Sequence, residues 1–387
     1  MSLFPALLCR GRFRVTLTTA LAALALTFTP TAQATTPAAA PTALARTATT
    51  GCTTLKTPAR GAMPRFMSAI SRKNEGFRQY VGGFLIKVLW RDIERTPGVY
   101  DVTNIDRQIA YAAASGLDVR LLVLAGTSAP TDVKSIGGAP IPFFDHDQRI
   151  ETTIGRFWLP AYQQRWQALQ RALATAYDGN PLVKEVNISG TGLISAEVML
   201  TMPKDVIPSL KITNAESMAA AGVTEPLRRS ALDADIAFMQ DTWTTTHTTL
   251  FANVYMPIGA TATIATTREI ISATHARKPG HTVFGHTGAS SGVLAGTTMK
   301  HMKDLYLWWE ANGMPYMLQT QTYHGGWTNE GVGDLAEVLQ WAAAHHAMSV
   351  ELPRDWQFDA AALAVLKDVN VALAANAAPF AAVSIGC

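Results

Sequence analysis

Residues 82–125 contain two short apolar runs with one amphipathic segment between them, a pattern that few folds accommodate. The first run, 82–89, and the second, 119–125, are rich in aliphatic residues and have the length of strands that are covered on both faces. Pro97 and Gly98 mark a turn, and residues 104–114 repeat apolar side chains at helical spacing before Gly116. The pattern predicts a βαβ unit and a parallel sheet.

The same alternation of strand and helix continues along the chain. Helical patterns occupy 159–177, 230–246, 298–312 and 332–345. Eight segments are predicted as strands: 65–70, 84–89, 119–125, 183–189, 250–255, 282–285, 316–321 and 348–351. We therefore expect an α/β fold, a (β/α)₈ TIM barrel formed by one domain over 52–387, with its active site at the C-terminal ends of the strands. An open doubly wound sheet is the alternative, but no glycine-rich phosphate turn follows the first strands.

The N-terminal residues have the composition of an export signal. Arg10, Arg12 and Arg14 precede an apolar stretch at 15–28, and residues 32–34 (AQA) resemble a small-residue cleavage site. We predict that 1–34 is a secretory signal peptide, that 35–51 is a flexible Ala/Thr/Pro leader, and that the protein is secreted. An uncleaved membrane anchor is the alternative, although the apolar stretch is short for a span.

Removal of the signal changes what charge and cysteine content imply. The formal charge of +3 falls to zero without the three arginines, so we expect no nucleic-acid partner and no membrane partner after cleavage. Cys52 and Cys387 remain near the two ends of the mature chain. In an oxidising compartment they are predicted to form a disulfide, with two free thiols as the alternative.

Three phrases carry a resemblance to a known family. Residues 90–94 (WRDIE) with 97–101 (PGVYD), 157–162 (FWLPAY) and 177–192 (YDGNPLVKEVNISGTG) resemble retaining glycoside hydrolases of the β-galactosidase and cellulase type. Arg95 stands where that family usually has proline. The resemblance implies a (β/α)₈ glycosidase that cleaves O-glycosidic bonds of a poly- or oligosaccharide. No metal or organic cofactor is implied, and the protein is expected to act as a monomer.

Glycoside hydrolysis needs two carboxyl groups on opposite sides of the linkage. In the resembling families a glutamate just past strand four is the acid/base, and here small residues lead to Glu197, whose alternative role is a first-turn helix glutamate. The family nucleophile ends strand seven, where this chain has Gln319 and Gln321. Glu351, at the end of the eighth strand, is the predicted second carboxylate; its alternative is a structural ion pair with Arg354.

Sugar recognition requires flat apolar faces and polar donors at the strand ends. Each such residue is alternatively a core or rim residue, and Glu94 is expected to hold the turn before Pro97. The predicted substrate-binding set is Trp90, Asp145, Tyr255, His286, Gln321, Tyr323, His324, Trp327 and Trp356.

Two further function classes stay open. Residues 288–292 (GASSG) match the serine hydrolase elbow, which makes a secreted esterase with Ser290 as nucleophile an alternative. A barrel that binds glycans without cleaving them is the other, because the strand-seven glutamate is missing. No Cys pair and no His-Glu-x-x-His pattern predicts a zinc site.

Overall fold

The computed structural model of the chain describes residues 53–65, 76, 78–258, 261–321 and 331–385. Its centre is one sheet of eight parallel strands in the order β1-β8-β7-β6-β5-β4-β3-β2. The strands are β1 (Gly61–Pro64), β2 (Gly83–Leu89), β3 (Asp118–Leu124), β4 (Val183–Asn187), β5 (His247–Phe251), β6 (Thr282–Ala289), β7 (Tyr316–Thr320) and β8 (Ser349–Leu352). Between the two ends of this sheet, the Gly82 amide donates to the Ala62 carbonyl at 3.0 Å. The predicted (β/α)₈ barrel is confirmed.

Among the described residues, seven long helices lie between or after the strands. They are α1 (Thr103–Ser115), α2 (Pro160–Tyr177), α3 (Glu225–Thr242), α4 (Ile264–Arg277), α5 (Lys300–Ala311), α6 (Leu335–Ala344) and α7 (Ala360–Ala377). Helix α1 ends at Gly116, whose φ of 64° is the left-handed conformation that glycine adopts without strain. Thr224, Thr263, Asp334 and Asp359 cap the N-termini of α3, α4, α6 and α7 with their side chains.

Helix α7 is rich in alanine, valine and leucine. The segment Ala360–Phe380 is long and apolar enough to cross a membrane, judged by length and composition alone. In the structure its buried face, which includes Leu366, Val369 and Leu373, belongs to the main hydrophobic core. This packing accounts for one apolar face of the helix, while Val371 on another face is 73% exposed.

The boundaries of β1, β5 and β6 differ most from the predictions, and β6 ends at Ala289, four residues after its predicted end. The first strand is Gly61–Pro64 and precedes the predicted 65–70, of which 66–70 lie outside the described residues. Strand β5 begins at His247, three residues before the prediction. The reason is that His247, Thr248 and Thr249 are fully buried polar residues. Thr248 and Thr282 form a hydroxyl–hydroxyl hydrogen bond of 2.8 Å, which lets polar side chains occupy a buried strand.

The barrel interior combines an apolar cluster with a buried ionic network. Leu85, Leu122, Phe251, Val283 and Met317 belong to the apolar cluster. The ionic network consists of Arg120, Glu185 and Glu351, all fully buried. The Arg120 guanidinium lies 2.6 Å from a Glu185 oxygen and 2.7 Å from a Glu351 oxygen.

Two short hairpins extend from loops at the C-terminal ends of the strands. One, Ile141–Asp145 with Ile150–Ile154, follows β3, and the other, Val206–Ile207 with Ile212–Thr213, follows β4. Asn214 joins them, because its amide oxygen accepts from the Phe144 amide at 2.8 Å and its amide nitrogen donates to the Phe144 carbonyl at 3.0 Å. The hairpins therefore share one wall of the barrel mouth.

The described ends of the chain lie side by side. Thr53–Thr54 pairs antiparallel with Ser384–Ile385. Cys52, Cys387, the predicted signal 1–34 and the leader 35–51 lie outside the described residues, so the disulfide and the signal stay predictions.

Candidate functional site

Glu197 lies at the barrel mouth, on the loop that follows β4. Its Oε1 atom accepts hydrogen bonds from Asn253 Nδ2 at 3.3 Å and from the Thr287 hydroxyl. Asn253 follows β5 and Thr287 belongs to β6, so three neighbouring strands position one carboxyl group. The side chain is half-buried and keeps access to solvent.

The surroundings of Glu197 favour its protonated form. Burial raises the pKa of Glu197, and the hydrogen bonds from Thr287 and Asn253 partly offset this rise because they stabilise the charged form. The negative charge of Asp147 raises the pKa of Glu197 further. A carboxyl group that keeps its proton to higher pH is suited to donate it to a leaving oxygen.

The tip of the first hairpin brings acidic side chains to the mouth. Asp147, with a 45% exposed side chain, lies 3.0 Å from His146 Nε2, and Asp205 lies 3.5 Å from His146 Nδ1. The hydrogen bond with Asp147 raises the pKa of His146. Asp145, predicted to bind substrate, is instead fully buried and accepts two 3.0 Å hydrogen bonds from Gln148. Asp145 therefore holds the turn, while Asp147 is accessible.

Lys87 is a mouth residue that was not predicted. It follows Leu85 by two positions in β2, so strand alternation directs it to the same side as the interior cluster. Although solvent reaches the residue, the surrounding protein lowers the pKa of Lys87 by desolvation, and the charge of Asp147 opposes this. The sequence feature that could have identified Lys87 is that it is the single lysine of an otherwise apolar strand, on the side that faces the interior.

Glu351 lies in the buried ionic network. It contacts Arg120, and Arg65 Nε lies 4.0 Å from its second oxygen. Arg120 also donates to Ser349 Oγ at 2.9 Å. The arginines next to this carboxylate are thus Arg120 on β3 and Arg65, the residue after β1, whereas the sequence predicted Arg354.

Four predicted binding residues are buried away from the mouth. The alternation of side chains along a strand explains why Trp90 and His286 are buried. Trp90 lies on the same side of the chain as Phe84, and His286 on the same side as Phe284, and this side packs against the helices. The four residues are Trp90, Tyr255, His286 and Trp356, and none is more than 3% exposed. Their burial indicates a packing role, and their contact with a sugar stays a prediction.

The hydrogen bonds of these residues support the packing role. Trp90 Nε1 donates to Glu94 at 2.7 Å, and the Tyr255 hydroxyl donates to Glu225. His286 Nδ1 is bonded to the Tyr306 hydroxyl, and burial lowers the pKa of His286 to about 3, so the imidazole is neutral.

Glu94 has the structural role predicted for it. Its carboxylate accepts from Trp90, from the Gly98 amide at 2.7 Å and from Arg165 at 2.6 Å. Residues 90–94 (WRDIE) therefore form a turn that the hydrogen bonds of Glu94 stabilise.

The remaining predicted residues lie after β7. Gln321 is half-buried, and its backbone amide donates to the Ala289 carbonyl at 2.8 Å. Tyr323, His324 and Trp327 lie outside the described residues.

Ser290, the nucleophile of the esterase alternative, caps a short helix. Its hydroxyl accepts from the Val293 amide at 3.3 Å, and the residue is buried. Within the part of the chain that the structure describes, no group of three or more His, Cys, Asp or Glu side chains could hold a metal ion.

Comparison with known proteins identifies the fold. No family model and no curated protein matches the sequence. The structure is similar to the catalytic domain of β-amylase from Paenibacillus polymyxa, with a TM-score of 0.54 and 10% identity over 81% of this chain and 98% of that one. It is also similar to a β-galactosidase from Rahnella sp. R3, with a TM-score of 0.53 and 13% identity over 85% of this chain and 58% of that one. At these identities the likeness establishes a shared barrel fold.

Proposed function

We propose that this protein is a glycoside hydrolase that cleaves O-glycosidic bonds of a poly- or oligosaccharide, with Glu197 as the proton donor. The observation that carries the proposal is the placement of one half-buried carboxyl group, with a raised pKa, at the C-terminal ends of β4, β5 and β6. Active sites of this fold occupy that end of the barrel. The similarity to a β-amylase and a β-galactosidase supports the same reaction class.

Asp147 is our proposed second carboxylate. Its side chain is accessible to solvent. Its negative charge raises the pKa of Glu197, on the loop after β4, and acts in the same direction on the pKa of Lys87, in β2. The expectation that Glu351 fills this role stays a prediction, and its complete burial beside Arg120 supports a structural role instead.

The proposed reaction begins with proton transfer from Glu197 to the glycosidic oxygen while the bond to the sugar breaks. As that bond breaks, Asp147 either attacks the sugar carbon, forming a glycosyl ester that water then hydrolyses with Glu197 as the base, or accepts a proton from the water molecule that attacks this carbon. A carboxyl separation of about 5–5.5 Å in the complex implies retention of configuration, and about 6.5–9.5 Å implies inversion. Lys87 interacts electrostatically with Asp147, because the charge of that carboxylate opposes the desolvation that lowers the pKa of Lys87.

The test is hydrolysis of aryl glycosides and polysaccharides by wild type and by Glu197→Gln, Asp147→Asn and Glu351→Gln. For polysaccharides, whose leaving oxygen requires the proton, loss of the proton donor is expected to lower kcat by about 10²- to 10⁴-fold. Glu269→Gln is a matched control, since this surface glutamate has a 68% exposed side chain and pairs with Arg229 of α3. Unchanged turnover of polysaccharides in Glu197→Gln would refute the assignment.

Wild-type inactivity towards every glycan tested, combined with glycan binding measured by calorimetry, would identify a non-catalytic glycan-binding barrel. Esterase activity that Ser290→Ala abolishes would identify the esterase.

We further propose that the chain is exported, loses residues 1–34, and acts as a secreted monomer with a Cys52–Cys387 disulfide. Pairing of Thr53 with Ile385 supports the disulfide, because these two residues are one and two positions from the cysteines in sequence. Intact mass and peptide mapping without reductant test both points. A mature N-terminus upstream of residue 35, or two alkylatable thiols, would contradict them.

A further inference from the structure

The loop that carries Glu197 lacks regular secondary structure. Residues 190–199 run between β4 and the second hairpin and include Gly190, Gly192, Ser195 and Ala196, whose small side chains give the backbone little support. A catalytic group needs a position fixed to within about 0.5 Å. The contacts that fix this loop must therefore come from other elements.

Asp235, on α3, holds the beginning of the loop. Its Oδ2 accepts from the Gly190 amide at 2.8 Å, and its Oδ1 accepts from Trp166 Nε1 at 2.9 Å. The Thr191 amide also stabilises the charged carboxylate. Despite these bonds, burial raises the pKa of Asp235 to about 6, so keeping an ionised carboxylate here is costly for the fold.

Arg228, on the same helix, holds the end of the loop. Its guanidinium donates to the Met199 carbonyl at 3.1 Å and to the Met256 carbonyl at 3.0 Å. The Tyr255 ring lies 4.3 Å from the guanidinium carbon and fixes its plane. Arg228 is only 2% exposed, so these carbonyls are bonded in the interior.

The spacing of the two residues makes one helix responsible for both ends. Positions 228 and 235 are seven residues apart and lie on the same face, two turns along α3. We propose that Asp235 and Arg228 form a two-point clamp that positions Glu197 for proton transfer. The carboxylate accepts the amide hydrogens at the start of the loop, and the guanidinium donates to the carbonyls at its end.

The glycine at the start of the loop fits this role. A Cβ atom on Gly190 would lie 2.3 Å from Trp166 Nε1 and 2.7 Å from Asp235 Oδ1. Only glycine lets the backbone approach the carboxylate this closely. Between the clamped ends, the Leu193 carbonyl accepts from the Thr127 amide at 2.8 Å, which ties the middle of the loop to the residues after β3.

The clamp is tested with Asp235→Asn and Arg228→Gln, each with a matched control from the exposed side of α3. The controls are Asp233→Asn and Arg229→Gln, which change the same residue types in a surface pair with 52% and 24% exposed side chains. Hydrogen exchange of amides 190–199 is expected to rise about 10- to 100-fold in either clamp variant, because a hydrogen bond to a charged group is lost. The control variants are expected to match wild type.

Two further measurements distinguish a positioning role of the clamp from a general contribution to stability. Carbon-13 NMR titration of the Glu197 carboxyl is expected to give a lower pKa in the clamp variants, since a loosened loop exposes Glu197 to water and burial is the largest cause of its raised pKa. With an active substrate, kcat is expected to fall by about 100-fold with a smaller change in KM. Arg228→Lys, which keeps the charge but loses the planar fork, is expected to recover part of the loss.

The inference rests on the proposed function, but its failure is distinguishable. Folded clamp variants with wild-type exchange at 190–199 would overturn the clamp, as would increased exchange with an unchanged Glu197 pKa. If one variant does not fold, the other decides. Absence of glycosidase activity in wild type would overturn the proposed function, while exchange and the NMR titration would still judge the clamp.

Discussion

Replacement of Arg120 by methionine should destabilise the barrel through its buried charges. Arg120 is fully buried and neutralises Glu185 and Glu351 at 2.6 and 2.7 Å. Methionine keeps much of the side-chain volume, so the dominant change is that two buried carboxylates lose their shared cation. Removal of one partner from a buried ion pair costs about 3–5 kcal/mol.

The assay is urea unfolding followed by circular dichroism, with thermal unfolding as a second measurement. For a chain of this size about 2 °C of Tm corresponds to each kcal/mol, so Tm should fall by about 6–10 °C. Arg229→Met is the control, because Arg229 pairs with the exposed Asp233 and its loss should cost less than about 1 kcal/mol. A loss below about 1 kcal/mol in Arg120→Met would refute the account of this network.

Two other predictions concern single carboxylates. Glu94→Ala should lower the free energy of unfolding by about 2–3 kcal/mol in urea titrations, because Trp90 and Arg165 lose their acceptor. An unchanged free energy of unfolding would show that Glu94 does not stabilise the turn. The pKa of Asp235 is raised from 3.8 to about 6, so the native state binds the proton more tightly and this carboxylate lowers stability as pH rises from about 4 to 6. The stability difference between Asp235→Asn and wild type should therefore shift by about 3 kcal/mol in favour of the variant between pH 4 and 7, and a flat difference would contradict the shift.

The barrel was predictable because its strands are apolar runs of the right length. Strands β2, β3 and β8 lie within one residue of their predicted positions at both ends, and the sequences of β2 and β3 are mostly apolar. The start of β5 was not predictable from apolarity. His247, Thr248 and Thr249 are buried only because hydrogen bonds to other segments satisfy them, and those partners are distant in sequence.

The position of Glu197 at the barrel mouth was predictable, whereas its hydrogen-bond partners were not. Glu197 follows from the family resemblance, whereas Asn253 and Thr287 meet it only through the closure of the barrel. Aromatic residues at strand ends were predicted to contact substrate without regard to the face of the strand, and a shift of one residue places a side chain on the opposite face. Trp90 has the parity of the helix-facing Ile86 and Val88, and that parity could have been counted from the sequence.

The dependence of the Glu197→Gln rate on the leaving group tests the central claim most directly. A leaving oxygen of low basicity departs without protonation, whereas a sugar or alkyl oxygen requires the proton. With glycosides that wild type hydrolyses, kcat/KM of the variant should fall by about 10²- to 10⁴-fold for sugar leaving groups and change little for dinitrophenyl leaving groups. An equal loss for both classes would contradict the role of Glu197 as the proton donor.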